Sequence, residues 1–71
     1  NPVARGAAVT FATAITDGSY SVINMMGMEV ATGRFQKGKG TISTQTLAAG
    51  VYTVMIQGQS NMGKARLVVV E

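Results

Sequence analysis

Residues 51–57, Val51-Tyr52-Thr53-Val54-Met55-Ile56-Gln57, decide the fold. In an extended chain Tyr52, Val54 and Ile56 fall on one face and Val51, Thr53 and Met55 on the other, and β-branched and aromatic residues dominate the run. Apolar side chains on both faces predict a central strand. On its upstream side, Gln45-Thr46-Leu47-Ala48-Ala49-Gly50 predicts a tight corner that ends at Gly50, with Leu47 plugging the core. The alanines also allow a short helical turn near residues 45–49. On its downstream side, Gly58–Gly63 turns the chain. Lys64–Val70 then gives a last strand in which Ala65, Leu67 and Val69 oppose Arg66, Val68 and Val70.

Further out, the same period of two recurs. Ala7–Ala14 alternates Val9 and Phe11 with small residues. After the turn Thr16-Asp17-Gly18-Ser19, the string Tyr20–Asn24 puts Tyr20 and Val22 on one face. Asn24-Met25-Met26-Gly27 carries Asn where a turn begins and Gly where a positive φ is cheap, so a hairpin is expected, with Met28–Thr32 returning and Val30 pointing inward. Gly33–Gly40 (GRFQKGKG) is polar and glycine-rich, which predicts a mobile connection or a ragged edge strand anchored by Phe35. Thr41–Thr44 is a short strand, and Pro2–Arg5 adds an extended piece at the start. About seven short strands separated by turn signals predict one all-β domain over residues 1–71, a small immunoglobulin-like antiparallel β-sandwich.

Composition narrows the function. The chain has no Cys and no His, so thiol nucleophiles, imidazole bases and the usual transition-metal sites are excluded. The three acids, Asp17, Glu29 and Glu71, fall in a turn, after a hairpin and at the terminus, and are expected to be solvated surface charge. No G-x-S-x-G elbow is present, and no enzyme or cofactor is implied. A net charge of +3 does not form the clustered basic and aromatic surface of a nucleic-acid module. Gly33–Lys39 nearly matches a phosphate loop, but Gly40 stands where Ser or Thr is needed, and Thr41-Ile42 predicts a strand in place of the required helix. The longest apolar stretch, Leu67–Val70, is far below the ~18 residues of a membrane span. The opening Asn1–Gly6 carries no signal-peptide pattern, and its Asn-Pro start without Met is expected of a segment cut from a longer protein.

Two apolar features ask for a partner or a packing role. Met25, Met26 and Met28 crowd one hairpin tip, where they either pack within the domain or face an apolar partner. The final Leu67-Val68-Val69-Val70, as an edge strand, would offer open main-chain groups to another protein, with Lys64, Arg66 and Glu71 as gatekeepers against promiscuous pairing.

Taken in order, these pieces resemble the type A C-terminal sorting domains of proteins exported by the type IX secretion system of Gram-negative bacteria. Asn1-Pro2 resembles that family's opening. Val22–Val30 resembles its hairpin of two apolar residues, Asp or Asn, two residues, Gly, two residues and Val. Leu47-Ala48-Ala49-Gly50-Val51-Tyr52 resembles its "Leu, two residues, Gly, apolar, Tyr" signature, and Lys64–Val70 its basic-then-aliphatic last strand. The chain departs from the family in ending on Glu71 where Lys is usual, and in carrying Met28 at a commonly basic hairpin position.

The resemblance implies a folded address label. Its N-terminally attached cargo crosses the inner membrane by an ordinary signal peptide, the outer-membrane type IX translocon recognises the label, and a cysteine-protease sortase removes it and anchors the cargo to surface lipopolysaccharide. The localisation implied is passage through the periplasm to the cell surface or beyond. On this reading Lys64, Arg66, Leu67, Val68, Val69, Val70 and Glu71 carry partner recognition by strand addition, and Gly27, Leu47, Gly50 and Tyr52 carry the fold, with Gly50 at positive φ. The domain is expected to be a monomer in which edge-strand exchange between two copies is open. The rival expectation is an immunoglobulin-like or fibronectin-like spacer, carbohydrate-binding or retained signalling module. The lack of Trp and the assignment of Tyr20 and Tyr52 to core faces leave Phe35 as the sole loop aromatic for a glycan.

Overall fold

The computed structural model describes residues 2–71; the resemblance at Asn1 lies outside them. Seven strands lie among the described residues: β1 (Pro2–Ala4), β2 (Ala8–Ala12), β3 (Gly18–Ile23), β4 (Glu29–Phe35), β5 (Lys39–Ser43), β6 (Gly50–Gln57) and β7 (Met62–Val70). They form two sheets, one in the order β1-β7-β6-β3-β4 and a pair β2-β5 laid over one of its faces. As its pattern predicts, β6 is central, pairing with β3 on one side and β7 on the other. Because the second layer covers one face only, Tyr52, Val54 and Ile56 are buried whereas Val51 keeps 39 % of its surface exposed.

The core is built from rows that cross the large sheet. Ala31, Val22 and Val54 are register partners, as are Gly33, Tyr20 and Ile56, and Tyr52 lies opposite Leu67. From the other layer come Val9 and its partner Ile42, with Phe11 set edge-on to Tyr20 and Phe35 at ring distances of 5.8 and 5.3 Å. Two glycines make this packing fit: the Tyr20 ring lies against Gly33 and the Phe11 ring against its partner Gly40, each where a Cβ would stand. Leu47 is buried in the core from the β5–β6 corner, and residues 45–49 form no helix.

Four expectations are corrected. Val30 does not point inward: a register shift between Val22 and Ile23 leaves it as an extra residue, 38 % exposed, and Ala31 takes the inward place opposite Val22. Of the two readings of Gly33–Gly40, the edge strand holds through Phe35 and the mobile connection does not. Strand β4 runs to the buried Phe35, and the following turn is pinned by Thr13 N to Gly38 O (2.8 Å), Gly38 N to Thr16 O (2.6 Å) and Lys37 N to Asp17 Oδ1 (3.1 Å). The sandwich is not wholly antiparallel, since β1 runs parallel to β7. That pairing also means β7 is not a bare edge: β1 covers it at Val68, Val69 and Val70.

Candidate functional site: the last strand

Strand β7 takes its shape from its neighbours. On one side it pairs with β6 from Met62↔Gln57 to Val69↔Gly50; on the other it pairs with β1 through Pro2↔Val68, Val3↔Val69 and Ala4↔Val70. Alternation then divides its side chains. Leu67 and Val69 are 2 % exposed and belong to the core, while Lys64, Arg66 and Val70 stand out on the uncovered face and Val68 is partly buried there. Val68 sits directly opposite Val51, and Arg66 opposite Thr53, whose other partner is Ile23. The outer face therefore carries an aliphatic patch, Val51, Val68 and Val70, beside the cations of β7. No helix, and hence no membrane-crossing helix, occurs among the described residues, and no three His, Cys, Asp or Glu side chains gather there as a metal site.

Beyond the strand, Glu71 meets Arg5 at 3.7 Å, both exposed, an ion pair of small energetic weight. The residues given structural roles divide differently. Tyr52 is buried and donates its hydroxyl to Ala48 O at 2.6 Å, which ties the start of β6 to its own corner. Gly27 has φ +86 in the β3–β4 hairpin, where Asn24 Oδ1 accepts from Met26 N (2.9 Å) and Met28 N (3.0 Å). The hairpin methionines point into solvent, with Met25 at 83 %. Gly50 is not at positive φ: it opens β6 as an extended residue paired with Val69, and a Cβ there would meet nothing nearer than Tyr52 Cε1 at 4.0 Å.

Two participants escape a reading of the sequence. One is the partner of β1: the extended start was expected, but not that its three residues pair with the strand of interest. The other is Thr44, fully buried, whose Oγ1 donates to Ala7 O (2.7 Å) and accepts from Gly6 N (2.8 Å), so that it fastens the β1–β2 turn to the end of β5. An isolated Thr at a strand end carries no pattern that marks it; its partners lie 37 and 38 residues away.

The described residues thus form a two-layer β-sandwich whose last strand carries aliphatic and basic side chains on its uncovered face. The chain matches the secretion system C-terminal sorting domain family over residues 1–71, its whole length, and belongs to that family of type IX sorting signals. This is not an enzyme family, and a sorting signal of this type acts with the type IX machinery on an N-terminal cargo bound for the cell surface or the extracellular space. No curated protein and no solved structure matches the chain.

Proposed function

We propose that residues 1–71 form a single C-terminal address domain of a longer secreted protein, and that the outer-membrane translocon reads it at the last strand. A cysteine-protease sortase then removes it and anchors the cargo at the surface. The family match over the full chain supports the sorting role. The observation that carries the placement on β7 is the split of its side chains. Lys64, Arg66, Val68 and Val70 are offered on a face that no second layer covers, and Glu71 follows them. Leu67 and Val69 act indirectly, by holding the strand on the core.

Deleting Val68–Glu71 would test this poorly, because it also takes Val69 from the core. The sharper variant is Val68→Asp with Val70→Asp, which alters the outer row and leaves Leu67 and Val69 in place. Fused to a periplasmic reporter in a type IX-competent bacterium, this double variant is expected to accumulate folded in the periplasm. Surface display equal to that of the parental domain would remove recognition from the outer row.

A further inference from the structure

We propose that β1 is a resident cover strand on the recognition edge, and that an extended strand of the receptor takes its place on β7. The inference rests on the reading of β7 given above. Strand addition works through main-chain groups on a sheet edge. At Val68, Val69 and Val70 that edge is occupied by Pro2, Val3 and Ala4, and Arg5 N donates to Val70 O at 2.7 Å. Docking of β1 and addition of a partner strand at these three residues are mutually exclusive.

Several features make β1 the element that yields. Among the described residues it is three residues long, the shortest strand, held in the one parallel pairing, and it stands at the margin of its sheet. Pro2 and Ala4 are exposed, and Val3 alone packs against the core, half-buried. The turn that follows pivots on Gly6, at φ +93 with open space around it. At the pivot and just after it, Thr44 Oγ1 accepts from Gly6 N and donates to Ala7 O. Residues 2–5 can therefore peel from β7 while β2 stays fastened to β5.

The geometry also specifies the incoming strand. It needs free main-chain groups over about three residues and one aliphatic side chain at the place of Val3, because that position faces the core. Cargo precedes a C-terminal sorting domain, so β1 lies on the cargo side of β2–β7, and receptor engagement at β7 would free a segment on that side.

The test locks the cover. Val3→Cys with Val69→Cys joins register partners whose Cα separation, about 4.8 Å for neighbouring strands, lies within disulfide range. The chain has no other Cys, and the outer row is untouched. The oxidised fusion is expected to be displayed at least tenfold less than the same fusion reduced. Equal display of both forms, with Val68→Asp/Val70→Asp still blocked, overturns the cover and leaves the β7 reading standing. Display of the Asp variant as well would instead bring down that reading. Hydrogen exchange on the 71-residue chain supplies a second readout. The Arg5 amide should exchange at least tenfold faster than the most protected β6–β7 amides, and equal rates would mean that β1 leaves only on global unfolding, which also overturns the proposal.

Discussion

Replacing Thr44 by Val tests whether a buried hydroxyl or mere packing fastens the two layers at the β1–β2 turn. The side chain is fully buried, and Val reproduces its shape, so the change opens no cavity. It removes the bond from Thr44 Oγ1 to Ala7 O (2.7 Å) and the one from Gly6 N to Thr44 Oγ1 (2.8 Å), while Thr44 N to Ala7 O (3.3 Å) remains. Each lost bond is worth about 1 kcal/mol net. Gly6 and Ala7 are exposed enough for water to repay part of that, and the added methyl group repays more, so the expected loss is about 1–2 kcal/mol. For a domain that holds roughly 4–10 kcal/mol in all, this is a substantial share. At about 4–8 °C per kcal/mol in a domain of this size, thermal unfolding of the variant should move down by about 5–15 °C. The Gly6 amide should also lose protection against hydrogen exchange. An unfolding temperature at or above that of the parental chain would refute the hydroxyl account and leave Thr44 as a packing residue.

Three further substitutions sample the rest of the frame. Leu47→Ala empties the plug between the layers and should cost about 2–5 kcal/mol, read as loss of about half of the chemical-denaturation midpoint; a loss below ~1 kcal/mol would show that the corner is not part of the core. Gly50→Ala should be neutral to within about 0.5 kcal/mol, because the position is extended and spacious, and a loss beyond ~1.5 kcal/mol in the same melt would contradict the backbone described. Gly33→Ala, by contrast, drives a methyl group into the Tyr20 ring and should break the bond from its hydroxyl to Thr41 O (3.1 Å), lowering stability by about 1–3 kcal/mol; an unchanged melt would mean that the ring moves freely.

Legibility followed the range of the interaction. Strands β2, β3, β6 and β7 announce themselves by alternation, and the Asn24–Gly27 turn by the chemistry of its two ends, because both signals lie within a few residues. Leu47 and Tyr52 were readable as core for the same reason, whereas Phe35, read as the sole loop aromatic, is a buried strand residue. Val30 was misplaced because one extra residue in a bulge reverses the facing of everything beside it, and nothing in Met28–Thr32 marks where the bulge falls. The polar run Gly33–Gly40 left an edge strand and a mobile connection equally open because β4 is a sheet margin, where only alternate residues need be apolar. Gly50 suggested a left-handed turn, yet its place is an extended one beside Val69. Of the candidate site, the composition of β7 was plain, but the cover formed by β1 was not. A parallel pair 66 residues apart leaves no local trace in a three-residue strand.

The central claim, that this sandwich is itself an address, is tested most directly by fusing residues 1–71 to a periplasmic reporter and measuring surface display in a type IX-competent strain beside an isogenic strain without the translocon. The account predicts display in the first strain and folded periplasmic reporter in the second. Folded reporter held in the periplasm of both strains would contradict it.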